Sequence, residues 1–226
     1  KLFEKNVLGE EKEVLHVKGS GWDLATIEVA GFAGVLMERC LKLLELPELS
    51  DSVMVNELKT HCTLASAPTP SVETLLYACL PFKYVDHTHA DAVVTITNLA
   101  DGEARCREVF GDQVLIVPYV MPGYDLAKYC ADLWSREGRD DLLGLVLLKH
   151  GIFSFGDDAR QSYDRMIDLV ALAEEYLQGK GVWELSESSA QNPTVPPPSE
   201  VATLRKSISD ATGFPMLLRS NRSDRA

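Results

Sequence analysis

Apolar positions along this chain fall into short blocks, and each block predicts one element. Residues 14–17, Val-Leu-His-Val, read as a short strand stopped by Gly19-Ser20-Gly21. Residues 2–13 before it are polar and mixed and predict no element. Residues 32–46 read as a helix, with Val35, Leu36, Leu43 and Leu44 at helical spacing and Pro47 ending the run. Pro70 and Ser71 suit a helix start, which places Glu73 in the first turn. Residues 83–86 predict a strand leading into His87, and residues 90–99 fit either a helix or a strand. A strand over 113–117 and a helix over 125–134 capped by Asp125 come next. The apolar run 142–148 predicts a strand covered on both faces, and Gly151 turns it into a second strand, 152–155. A helix capped by Asp157 runs to Gln178 with Tyr163, Met166, Ile167, Val170, Ala173 and Leu177 as its apolar stripe, and Gly179 and Gly181 end it.

Strands and helices interleave throughout, which predicts a layered α/β domain over residues 1–185. Beyond it the composition changes. Residues 186–200 are rich in Ser and Pro and predict an extended connector, so 186–226 reads as a linker and C-terminal tail with a short amphipathic piece at 201–208.

The charge narrows the partners. With 22 Lys and Arg against 34 Asp and Glu, the 226-residue chain carries a formal charge of −12. That balance argues against nucleic acid and against an anionic membrane surface. The longest apolar runs fall far short of the ~20 residues that span a bilayer. Five cysteines, Cys40, Cys62, Cys79, Cys106 and Cys130, are odd in number, widely spaced and form no CxxC pair. They predict reduced, mostly buried thiols in a reducing compartment, read here as the cytoplasm.

Histidine carries the strongest chemical signal. His87 and His89 sit at i and i+2 in a predicted strand, so both imidazoles point to one face, about 6–7 Å apart along it. Two such rings can converge on one ion, and His150 ends the buried strand, where sites sit beside a sheet. The opposing reading is a chance pair on a polar strand edge and a hydrogen-bonded core histidine at 150. Glu73 is either a favourable partner for a helix dipole or, near a metal, a general base. Gly19-Ser20-Gly21 reads first as turn chemistry, because it lacks the context of a phosphate loop.

Taken together, KGSG (18–21), PSVE (70–73), HTH (87–89) and KHG (149–151) stand in the order and spacing of the class II aldolase/adducin superfamily. The resemblance covers roughly residues 14–180 and is greatest to the aldolase half of bifunctional rhamnulose-1-phosphate aldolase/alcohol dehydrogenase proteins. It implies a three-layer α/β/α fold with a mainly antiparallel central sheet. It implies that His87, His89 and His150 bind Zn²⁺ or another divalent metal, that Glu73 moves the proton, and that Ser20, Gly21 and Ser71 hold a substrate phosphate. The implied reaction cleaves a ketose phosphate to dihydroxyacetone phosphate and an aldehyde, with the cation offsetting the enediolate charge. It also implies a homotetramer; in the resembled proteins a dehydrogenase half follows the linker, and this chain carries no dinucleotide fingerprint for that half.

The chain departs from the family pattern in three places. Val72 stands where a second hydroxyl residue is common. No Gly-Asn phosphate loop precedes residues 18–21, so the N-terminal part is expected to be incomplete. Neither Tyr119 nor Tyr124 is assigned to the aldehyde side. The alternatives are a pentulose-phosphate 4-epimerase, which resembles this pattern with Asp at position 73, a decarboxylase of the same superfamily, and an adducin-like interaction domain, which lacks the histidine ligands.

Overall fold

The computed structural model describes residues 1–183 and 197–217. By internal contacts the chain divides into two units, Lys1–Trp183 and Glu184–Ala226. In the first unit, β1 (Leu2–Lys5), β2 (Glu11–Lys18) and β3 (Phe32–Leu36) form an antiparallel sheet in that order. A second sheet contains β4 (Tyr84–Thr88), β5 (Val114–Val117), β6 (Gly144–Leu147) and β7 (Gly151–Gly156) in the order β4-β7-β6-β5. Only its β5–β6 pair is parallel; every other strand pair described is antiparallel.

Both faces of the four-stranded sheet are covered. On one face, Leu115, Val117, Leu145, Leu147, Phe153 and Phe155 pack with α1 (Met37–Leu44), α2 (Asp51–Thr60), α3 (Thr74–Cys79) and α6 (Tyr124–Glu137). On the other, Val114, Val146 and Ile152 pack with α4 (Asp91–Thr97), α5 (Gly102–Phe110) and α7 (Ala159–Gly179). The alternation of a strand's side chains between faces divides each strand between the two cores. The result is the layered helix–sheet–helix arrangement the sequence implied.

Several element boundaries differ from the sequence expectation. Residues 32–46 are not one helix: 32–36 are a strand in register with β2, from Lys18↔Phe32 to Val14↔Leu36, and the helix starts at Met37. Ala33 and Val35 are fully buried, and an apolar run of that kind reads the same by periodicity in a strand or a helix. Residues 2–13 hold a hairpin, closed where Asn6 Oδ1 accepts the N–H groups of Leu8 and Glu10 at 2.9 and 3.0 Å. The ambiguous segment 90–99 contains helix α4. The cap of α7 is Asp158 rather than Asp157; its carboxylate accepts the Gln161 N–H at 2.8 Å.

Asp125 does not cap α6 either. That role belongs to Asp51, from the first turn of α2, whose Oδ1 accepts the Tyr124 N–H at 2.8 Å. The Tyr124 hydroxyl lies 2.9 and 2.7 Å from the carbonyl oxygens of Leu43 and Leu46, and Lys128 Nζ donates to the Leu44 carbonyl at 2.8 Å. So α6 satisfies carbonyls at the C-terminal end of α1, groups that have no partner within their own helix.

In the second unit, α8 (Pro198–Thr212) starts with a proline and stops at Gly213, which has φ +71°. It contains the expected amphipathic piece 201–208. The expected connector 186–200 lies mostly outside the described residues. Among the described residues no helix is long and apolar enough to cross a membrane. The five cysteines are free thiols; Cys40, Cys106 and Cys130 are buried and Cys62 and Cys79 half-buried.

Candidate metal centre

The centre is assembled at one edge of the four-stranded sheet from three separate pieces of chain. His87 lies within β4, opposite Phe153 of β7. His89 follows one residue past the end of β4. His150 stands in the turn between β6 and β7, where Lys149 takes a left-handed backbone with φ +59°. Glu73 arrives from the other direction, at the N-cap position of α3 rather than in its first turn.

Side-chain packing fixes how the rings face. The carbonyl of Ile152 can only accept, so His87 Nδ1 carries the proton and donates to it at 3.0 Å. The His87 Nε2 lone pair therefore points into the cluster. The ring centroids of His87, His89 and His150 lie 4.8–5.1 Å from one another. Gly151 makes room for them: a Cβ there would meet the Thr88 carbonyl oxygen at 2.4 Å and the rings of His89 and His87 at 2.9 and 3.1 Å. The glycine after His150 is thus required by close approach of the backbone to the rings.

Glu73 Oε1 sits 3.0 Å from His150 Nε2 and 3.3 Å from His87 Nε2. Ser71 joins it locally, accepting the Glu73 N–H at 3.3 Å and donating to Glu73 Oε2 at 3.4 Å. Burial pushes the Glu73 carboxyl up, but the neighbouring His150 and His87 rings outweigh burial and hold it well below the usual carboxylate range. Burial, then the two neighbouring histidines, pull His89 down and favour its neutral form.

Ligand atoms of Glu73, His87, His89 and His150 all lie within 4.8 Å of one another. His87 Nε2 and His150 Nδ1 are buried and have no hydrogen-bond partner. Orphaned buried nitrogens are costly unless something else takes their lone pairs. Three imidazoles and one carboxylate form a donor set suited to a divalent transition metal, and the residues fit such an ion.

The other sequence candidates lie nearby to different degrees. The Ser20 N–H donates to the Thr69 carbonyl at 2.9 Å, and Gly19 bridges to Pro70, so the 19–21 turn is laced to the segment leading into Ser71. Gly21 is exposed with φ +85°. Of these, Ser71 alone hydrogen-bonds to a cluster residue. Tyr124 is buried and engaged with α1, away from any site role, whereas Tyr119 is half exposed. A cleft of about 510 Å³ between β2 and β4 is lined by Lys18, Tyr77, Lys83, His87 and Tyr163 among others, and reaches the cluster at His87. The Ile152 carbonyl and the Phe153 ring, which orient His87, carried no sequence signal, because their role depends on the β4–β7 register.

The layered α/β domain carries a cluster of three histidines and a glutamate at the sheet edge. Residues 6–177 match the model of the Class II Aldolase and Adducin N-terminal domain, and the chain belongs to that family. It is 38% identical to the N-terminal class II aldolase domain of a conserved protein from Thermoplasma acidophilum, with a TM-score of 0.72 over 78% of this chain and 80% of that one. It is 36% identical over 181 residues to the uncharacterized oxidoreductase YuxG of Bacillus subtilis (strain 168). That match covers 80% of this chain and 26% of YuxG, so the chain spans about a quarter of this curated relative's length. An L-fuculose 1-phosphate aldolase shares the fold, with a TM-score of 0.50 at 13% identity over 87% of this chain and 80% of that one.

Proposed function

We propose that the chain is the lyase domain of a zinc-dependent class II aldolase, cleaving a ketose phosphate of the rhamnulose-1-phosphate kind to dihydroxyacetone phosphate and an aldehyde. The observation that carries this reading is the convergence of Glu73, His87, His89 and His150 within 4.8 Å. His87, His89 and His150 would hold the metal. A bound divalent cation supplies Lewis-acid stabilisation of negative charge developing on substrate oxygens.

The chain's own residues account for the rest. Glu73 takes and returns the substrate proton, because its carboxylate is half-buried beside the ligand nitrogens and free of any lysine or arginine partner among the described residues. Ser71 orients that carboxylate. Ser20, Gly21 and Ser71 bind the substrate phosphate, through the two serine hydroxyls and the Gly21 N–H.

Free thiols fit a cytoplasmic setting, and a homotetramer is the assembly expected. A sedimentation mass of four chains supports the tetramer, and a monomer mass removes it. The test of function is metal analysis of the purified chain followed by a cleavage assay on a panel of ketose 1-phosphates, with a pentulose 5-phosphate as the epimerase arm. One equivalent of zinc with aldehyde release supports the reading; metal-free protein without turnover on added zinc refutes it.

A further inference from the structure

On the face of β4 opposite His87, the exposed edge residue Asp86 anchors a polar tie that runs into a buried apolar core. Asp86 and Ser154 are register partners on β4 and β7. Both engage Ser162 of α7: the Ser162 hydroxyl donates to Asp86 Oδ2 at 2.6 Å, and the Ser154 hydroxyl donates to the Ser162 carbonyl at 2.8 Å. Ser154 and Ser162 are completely buried, 0% exposed, and the surrounding core is made of Val93, Ile96, Ile152, Met166 and Leu169. One turn further along α7, the Thr88 hydroxyl meets Met166 Sδ at 3.3 Å.

Apolar side chains would fill these positions without desolvating any hydroxyl, so packing alone does not call for serines here. What the tie does is directional. The backbone ladder sets β4 against β7, and the two side-chain hydrogen bonds fix both strands relative to α7, which apolar contact does not. Asp86 and Thr88 flank His87 in sequence and face the opposite side of the sheet, so clamping them sets where the His87 and His89 rings emerge.

We propose that Asp86, Ser154 and Ser162 are positioning residues that hold β4 and β7 against α7 in the placement at which His87 and His89 converge with His150 on a divalent metal. This rests on the metal-centre reading above. Losing a group bonded directly to a ligand histidine lowers metal affinity by about 10–100-fold, and the tie acts one step further out, so the low end of that range is expected.

The test titrates the full chain with Co²⁺, read by its visible absorption, for the parent, Ser162→Ala, Asp86→Ala and Asp86→Asn. Asn keeps an acceptor for the Ser162 hydroxyl and removes the charge. The expected result is about tenfold or greater loss of Co²⁺ affinity with a changed spectrum in both Ala variants, and near-parent behaviour in Asp86→Asn. Parent-like affinity and spectrum in Ser162→Ala, with only a lower melting temperature, overturns the proposal. So does a loss in Asp86→Asn equal to that in Asp86→Ala, which would assign the effect to charge. A metal-free readout separates the two claims: the NMR signal of the His87 Nδ1 proton, expected to be protected by its bond to the Ile152 carbonyl. If the parent binds no Co²⁺, the metal reading fails, and the tie stands or falls on whether Ser162→Ala loses that signal.

Discussion

His87 and Phe153 are direct partners across the β4–β7 pair, and their rings stack with centroids 4.0 Å apart and planes 17° from parallel. Phe153 is fully buried and makes an edge contact with Tyr77, so its ring is a fixed floor under the imidazole. Replacing it with Leu keeps an apolar side chain of somewhat smaller volume and removes the flat surface. Phe153→Leu is expected to cost about 1 kcal/mol of stability and to weaken metal binding more than a volume-matched change elsewhere in this core. Denaturant unfolding and a Co²⁺ titration on the same sample check both parts.

Glu73→Gln is expected to keep fold and metal and to lose turnover by about 10²–10⁴. Glu73→Asp retains part of the activity, since the carboxylate survives one methylene short. The competing role, a partner for the α3 dipole, is worth about 0.3–1 kcal/mol and leaves catalysis intact. Kinetics of wild type and variant at equal zinc content decide between them, and an unchanged kcat rejects the proton-transfer role.

Metal removal should be visible as stability. A ligand at 100 times its Kd adds about 2.7 kcal/mol to the folded state. Zinc is therefore expected to raise the melting temperature of chelator-treated protein, and to do so weakly or not at all in His87→Ala and His150→Ala. An equal rise in all three would place the zinc elsewhere.

Lys149 pays for its φ of +59° with a side chain that disfavours that region. Asn tolerates the left-handed conformation better. Lys149→Asn is expected to raise stability by up to about 1 kcal/mol while leaving Co²⁺ affinity near that of the parent. A fall in melting temperature would show that the lysine side chain makes up for the strain.

Buried thiols predict an alkaline limit. Burial pushes the Cys40 thiol up to about 12 and the Cys106 thiol up to about 11. Unfolding returns both to the ordinary range near 8.5. A folded pKa above the unfolded one gives stability that is complete below about pH 8.5 and declines as pH rises toward 11–12. Under reducing conditions, urea midpoints should fall across that window, and Cys40→Ala should flatten the decline even as it lowers stability at neutral pH.

The sequence made some of this legible and hid the rest for identifiable reasons. His87 was readable because a strand was expected to lead into it and β4 contains it, whereas His89 lies just past the strand's end, so the same-face rule for i and i+2 reached the right pair although β4 stops short of the second ring. His150 was readable as the end of a buried apolar run. Residues 32–36 were misread because Val35 and Leu36 fit helical spacing as well as a doubly covered strand, and only pairing with β2 separates the two. Caps misled wherever the capping group is remote: Asp125 is local to α6, but Asp51 holds its first N–H. The Asp86–Ser162 bond spans 76 positions and leaves no local trace. Short-range chemistry is written in short stretches of sequence, whereas support for a site comes from register and crossing elements.

The exchange of end groups among α1, α2 and α6 has a consequence for how the domain comes apart. The Leu43, Leu44 and Leu46 carbonyls are served by Tyr124 and Lys128, and the Tyr124 N–H by Asp51, across separations of 73–84 positions. None of the three helices can fray at these ends without stranding polar groups on another. Amide hydrogen exchange there should therefore proceed by one concerted opening with a shared free energy, and the last turn of α1 should be as slow as the first turn of α6.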